Sequence, residues 1–427
     1  MNNRSTIGRP QRVFNAWLIL TMFLFYFGPL RYNCDKNLSM IYMIAFIAVA
    51  NGFYYLGGHV KTRIPRKHLS FDCDKIIDIT LKYSLILTFL YLLEAIFRYG
   101  FKSFSFTSII SQMANTYTEA EAYRFMVSAW ILSYTKWIRV IALVLGSLHW
   151  NRLKKSQKIM YGSLCLLIVI HNTLYVGSQK ELIDLVVYVV VPILMRWIKE
   201  NRHLGLKKKI IAIVGVIAFS IFLGSVIAGR RELWAQLYNS NTGIGADPNN
   251  WIYKILPTSI SSSITYLLSY VTQGYRGLSL CLTLPFQWTY GVGSSFKFMN
   301  DISRWFSIPL DVLEKSYPVR MQQAYGVGAY ASWHTIFPWI ASDFTFFGAI
   351  FIVSIFVYYW AKSWREVISS DSWIAPVMFS HLTILILFIP CNNQLFQTRD
   401  SIVASLVIFA LWYFYHGIDA TNYSEKG

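Results

Sequence analysis

The feature that most constrains this chain is a succession of apolar blocks, nearly all roughly 17 to 25 residues long, the length needed to cross about 30 Å of hydrocarbon. They fall at residues 13–30, 38–56, 79–97, 125–148, 159–176, 182–198, 210–228, 344–360, 373–390 and 402–416. A soluble α/β domain would not repeat such blocks with basic connectors between them. Backbone groups in lipid must be satisfied within the segment, so blocks of this length read as helices. Composition agrees: 14% of residues are charged, against about 25% in an ordinary soluble domain. The expected fold is an all-α polytopic membrane protein with about ten transmembrane helices, in a range of about ten to twelve.

A net charge of +18 would suit a nucleic-acid binder, but its distribution argues for topology. Arg4, Arg9 and Arg12 precede the first block. Lys61, Arg63, Arg66, Lys67 and Lys75 follow the second, and Arg152, Lys154, Lys155 and Lys158 the fourth. Lys199, Arg202, Lys207, Lys208 and Lys209 follow the sixth, and Lys362 and Arg365 the eighth. The alternate connectors are nearly neutral, so the basic ones are expected on the cytoplasmic side, with both termini. No nucleic-acid partner is expected. The first block is long enough to span and lacks a small-residue cleavage site, so no cleavable signal peptide is expected. Cys34, Cys73, Cys165, Cys281 and Cys391 show no metal-like spacing. Free thiols are expected, with one disulfide among Cys34, Cys281 and Cys391 as the alternative.

One interval breaks the rhythm. Residues 229–343 separate the seventh and eighth blocks, which divides the chain into an N-terminal bundle (1–228), one large outer loop (229–343) and C-terminal spans (344–427). Loops beyond about a dozen residues are uncommon and usually functional. This one carries glycine turns, Tyr290-Gly291-Val292-Gly293-Ser294 and Tyr325-Gly326-Val327-Gly328. Its Tyr and Trp residues read as interfacial anchors or as platforms for sugar rings. Arg230, Arg231, Arg276, Arg304 and Arg320 could each fork onto a diphosphate or lie solvated at lipid headgroups. His334, the loop's histidine, is either a general base for a hydroxyl nucleophile or a hydrogen-bonded structural residue.

Charges also fall inside the blocks, where they usually face a cavity or a partner. Lys82, Glu94 and Asp184 lie close enough to block ends to reach an interface. Lys136 and Arg139 share a helix face and are expected to line an anionic-lipid pocket or to pair with Glu94. A proton-coupled transporter would place several carboxylates at mid-span, and this chain is not expected to do so.

The combination resembles the bacterial oligosaccharide repeat-unit polymerases, the O-antigen polymerase family. The resemblance is carried by Gly229-Arg230-Arg231 at a span exit, Ser262-Ser263-Ile264-Thr265-Tyr266 through Gly274-Tyr275-Arg276, Tyr290 through Ser294, and Thr335 through Asp343-Phe344-Thr345-Phe346-Phe347-Gly348. Family members often have Asp-Phe-Gly-x-x-Gly at the last of these. They also often carry an arginine in the hairpin before span six, where this chain has Gly177-Ser178-Gln179-Lys180, which keeps the charge without the fork.

The resemblance implies a metal-independent glycosyltransferase, without cofactor, at the periplasmic face of the inner membrane. It would polymerise undecaprenyl-diphosphate-linked repeat units into O-antigen or a related surface polysaccharide, among membrane lipids and in partnership with a chain-length regulator protein. Arg230 and Arg231 would hold the diphosphate, supported by Arg276 and Arg320, with Tyr275 and Lys180 as further substrate contacts. His334 or Asp343 would be the base. Two alternatives share the substrate: an O-antigen ligase acting on lipid A-core, and a lipid-linked oligosaccharide flippase.

Overall fold

The computed structural model describes residues 6–60, 71–102, 127–200, 205, 214–215, 217–226, 243–247, 249–307, 311–330, 332–415 and 420–421. The apolar blocks within this range are helices, and the protein is a mostly helical membrane protein, with only short strands among the described residues. Five helical segments among the described residues are long and apolar enough to cross a bilayer. They are α2 (Lys36–His59), α3 (Cys73–Tyr99), α4 (Val127–Leu148), α5 (Lys155–His171) continued by a π turn (Asn172–Val176), and a later helix, α13 (Phe337–Ser369).

Local signals set several boundaries. The α1 helix (Arg9–Phe27) has Pro10 in its first turn, where a missing N–H costs nothing. Asp72 caps α3 by accepting from the Lys75 N–H at 3.0 Å. The π turn ends at Gly177 in the left-handed region, φ 66°. The helix α6 (Gln179–Lys199) carries Pro192 in its interior.

The α3 helix shows how such a helix is sided. Thr80, Ser84, Thr88 and Ala95 are buried, while Ile79, Ile86, Phe89, Leu90 and Leu93 are exposed. The small and hydroxylated residues share the inner face with Ile77, Leu81 and Leu92, while large apolar side chains are left on the outer face, an arrangement that suits lipid.

The chain forms two compact units that cut across the linear division at 228/229 and 343/344. One contains residues 1–59, 213–361 and 385–399; the other contains 60–212, 362–384 and 400–427. In the first unit, the strand β1 (Leu30–Tyr32) pairs antiparallel with β3 (Ile244–Ala246), Arg31 opposite Gly245. An Arg31–Asp247 ion pair at 2.8 Å joins the same two segments.

Much of the stretch read as a loop is helical: α7 (Ile217–Val226) leads toward it, and within it lie α8 (Trp251–Ile255), α9 (Thr258–Leu282), α10 (Phe296–Phe306), α11 (Asp311–Lys315) and α12 (Tyr317–Tyr325). The 25-residue α9 is packed on α1 and α2. Its Tyr275 hydroxyl meets Thr21 Oγ1 at 2.7 Å, Thr272 Oγ1 meets the Tyr32 hydroxyl at 2.5 Å, and Ser279 donates to the Asp35 carbonyl. Thus α9 is part of the unit's core, which hydropathy could not show because Ser261, Thr265, Ser269, Thr272 and Gln273 on its buried face are polar.

The eighth block begins earlier than its hydropathy suggests. The α13 helix starts at Phe337 and is interrupted at Thr345, φ 61°, before continuing. The other unit is built on α3–α6, with α15 (Arg399–Tyr415) contributing from Asp400 onward. Its short strands β2 (Phe71–Asp72) and β4 (Ala420–Thr421) pair in parallel. The helix α14 (Ala375–Phe388) passes from this unit into the first. All five cysteines are free thiols.

Candidate functional site

In the first unit, segment 333–336 is held between α9 and the turn after α14. Thr335 donates its N–H to the Cys391 carbonyl and Ile336 to that of Ile389, while Thr335 adopts φ 63°. On the α9 side the approach is so close that a Cβ at Gly277 would lie 2.6 Å from His334 Cβ. His334 is 1% exposed. Its Nδ1 lies 3.0 Å from the Ser332 carbonyl, which assigns the proton to Nδ1 and leaves Nε2 as an acceptor with no partner. Burial pushes its pKa down to about 4, so the ring is neutral at pH 7.

Arg276, the residue before Gly277, is 7% exposed. It makes no ion pair among the described residues, and its Nε has no hydrogen-bond partner. Gly243, at φ 63°, lies over the guanidinium, and a Cβ there would sit 2.1 Å from an Arg276 Nη. An arginine cannot shed its charge in a protein, and an isolated buried charge is costly.

Asp343 is placed differently. Its Oδ1 accepts from Thr289 Oγ1 at 2.5 Å and the Gly293 N–H at 2.9 Å; its Oδ2 accepts from the Ser294 N–H and hydroxyl, both at 2.7 Å. All four lone-pair positions of a carboxylate are used, which makes Asp343 the fastener of the Tyr290–Ser294 glycine turn. Tyr275 is fully buried, bonded to Thr21 and packed on Phe25, so it serves the core. Arg320 is committed to the Pro285 carbonyl and the Tyr317 ring, and Arg304 is exposed. Arg230 and Arg231 lie outside the described residues.

The second unit holds a charged cluster whose members are scattered through the chain. Lys136, 3% exposed, donates to Asp400 Oδ2 at 2.7 Å and Glu181 Oε1 at 3.1 Å, with Asp184 Oδ2 at 3.5 Å. Arg139 pairs with Glu181 at 2.9 Å. Lys180 pairs with Asp184 at 2.7 Å and reaches Ser401. The expected pairing of Lys136 and Arg139 with Glu94 is thereby corrected: Glu94 pairs with Arg98 and caps α4 by accepting from the Val127 and Ser128 N–H groups. Glu181, Asp184 and Asp400, each near a block end in the sequence, converge on one buried lysine. Lys82 pairs with Asp78 one turn away. Among the described residues no three His, Cys, Asp or Glu side chains are grouped to hold a metal ion.

Compared with protein-family models, curated sequences and solved structures, the chain matches none. Its functional reading therefore stands on the geometry above. Sequence reasoning missed His171, Asn172 and Asp400. The available signal was chemical: Lys136 inside an apolar block demands a carboxylate partner. Nothing in the sequence said which.

Proposed function

We propose that the chain is a membrane glycosyltransferase that joins undecaprenyl-diphosphate-linked oligosaccharide units at the outer face of the bacterial inner membrane, forming O-antigen or a related surface polysaccharide. The acceptor sugar's hydroxyl oxygen attacks the donor's anomeric carbon, and the bond from that carbon to the diphosphate breaks. His334 Nε2 takes the hydroxyl proton while Arg276, with Arg230 and Arg231, stabilises the departing diphosphate. Guanidinium groups suit that charge because their forked donors match phosphate oxygens.

One observation carries this reading. Gly277 allows segment 333–335 to close onto α9 one residue along from Arg276, so the same unit presents a neutral His334 imidazole whose Nε2 has no partner and an Arg276 guanidinium that makes no ion pair among the described residues. The proposed topology keeps about ten spans, with both termini cytoplasmic and residues 229–343 at the outer surface.

The test is the surface glycan of a deletion strain. Lipopolysaccharide with one repeat per core supports a polymerase, whereas bare core indicates a ligase or a flippase and a normal ladder defeats all three. The flippase reading is kept because Lys136, inside a helix long enough to span a bilayer, gathers three carboxylates, and buried charges on such helices mark transport pathways.

A further inference from the structure

Beside the Lys136 cluster, wholly within the second unit, a cavity of about 210 Å³ opens among α3, α4, α5 and the π turn. Three residues on its wall each carry a buried polar atom that lacks a partner among the described residues: Thr88 Oγ1, His171 Nε2 and Asn172 Oδ1. Thr88 and Asn172 are each 2% exposed and His171 5%. The Asn172 amide is oriented by its Nδ2 donating to the Ser178 carbonyl at 2.7 Å, which leaves Oδ1 as a fixed acceptor. His171 packs against Tyr91, the ring centroids 3.9 Å apart and the planes tilted by 32°. Leaving such groups unmade costs roughly 1–3 kcal/mol each. Asn172 begins the π turn, and π-helical turns occur frequently at functional sites.

The charges facing the cavity are already matched. Arg139 is paired with Glu181, and Asp400 with Lys136. An anion would meet two carboxylates and a cation would meet Arg139. The groups left unmatched are uncharged donors and acceptors, set against apolar wall from Tyr91, Leu132, Ile168 and Val176. That combination fits a neutral ring carrying hydroxyls. The volume lies below the roughly 300–1,000 Å³ of drug-sized pockets, which limits the occupant to a single ring.

We propose that this cavity binds one pyranose ring, with Asn172, His171 and Thr88 hydrogen-bonding its hydroxyls and Tyr91 beside its C–H face. That the ring belongs to a lipid-linked glycan rests on the function proposed above; the preference for a neutral pyranose rests on the unpaired groups.

The test uses the full chain purified in detergent and followed by thermal unfolding. Methyl glucoside, galactoside, mannoside and N-acetylglucosamine are titrated against equal concentrations of sorbitol and of sodium phosphate. At least one pyranoside is expected to raise the Tm saturably above sorbitol, as binding to the native state requires. Asn172→Ala and His171→Ala should lose that shift while remaining monodisperse. The proposal is overturned if no pyranoside exceeds sorbitol in the unmodified protein, or if phosphate alone raises the Tm. The unmodified protein decides this even where a variant does not fold. Pyranoside binding together with a normal polymer ladder in the deletion strain would sink the polymerase reading and leave the cavity assignment standing. A single-repeat phenotype with no pyranoside binding would do the reverse.

Discussion

Arg276 and His334 each bury a side-chain nitrogen that has no partner among the described residues. Arg276→Ala should abolish polymer while the single-repeat product persists, read as lipopolysaccharide banding in a complemented deletion strain. Arg276→Lys should restore little, because a point charge lacks the fork. For His334 the folded pKa, about 4, lies below the unfolded value of about 6.5. Between those values the unfolded chain binds more protons, so stability is full above about pH 6.5 and falls as pH drops toward 4, by about 3 kcal/mol for a fully buried ring. Unfolding scans in detergent should show Tm flat from pH 7 to 8 and falling below 6.5, with a shallower fall in His334→Gln. A Tm independent of pH over that range in the unmodified protein would count against a buried neutral His334. Sequence chemistry could nominate both residues, since a lone histidine and arginines in a long outer stretch are visible in the text. It equally nominated Tyr275, Asp343 and Arg320, whose hydrogen bonds turn out to be spent on structure. Only a partner list separates a poised group from a satisfied one.

At the scale of elements, the site depends on α9 meeting segment 333–336 without a side chain between them. Gly277→Ala would drive a methyl group to 2.6 Å from His334 Cβ. It should lower both Tm and polymer yield, whereas Gly162→Ala, which meets nothing within 4 Å on α5, should be neutral or stabilising by up to about 1 kcal/mol. Equal behaviour of the two variants would argue that the α9 contact is dispensable. The Asp343 fastener predicts that Asp343→Ala costs more stability than Thr289→Ala, since the first leaves four donors without their acceptor and the second leaves one acceptor position of Asp343 open; thermal unfolding of the two variants checks the order. Helix existence was legible throughout the apolar blocks. The polar buried face of α9 hid that helix, and the interruption of α13 at Thr345 has no glycine to announce it.

At the scale of the molecule, two interleaved units are assembled from segments far apart in the chain. The second is tied internally by three cations and three carboxylates around Lys136. Removing one member of a buried ion pair costs about 3–5 kcal/mol because its partner is left unpaired. Lys136→Met should therefore be poorly folded, and adding Asp400→Asn should recover part of the loss, measured as monodisperse yield and Tm in detergent. A double variant worse than the single one would mean that Asp400 is not the principal partner.

The sequence by itself determined that the chain crosses a membrane and where most of its helices lie. Both follow from local quantities: block length against bilayer thickness, and basic connectors against neutral ones. The tertiary structure decided which charges meet, and it closed Gly277 onto His334 while spending Asp343 on a turn. It also decided that α9 belongs to a core. Those are contacts between residues tens to hundreds of positions apart, and hydropathy and spacing, being local, carry no record of them.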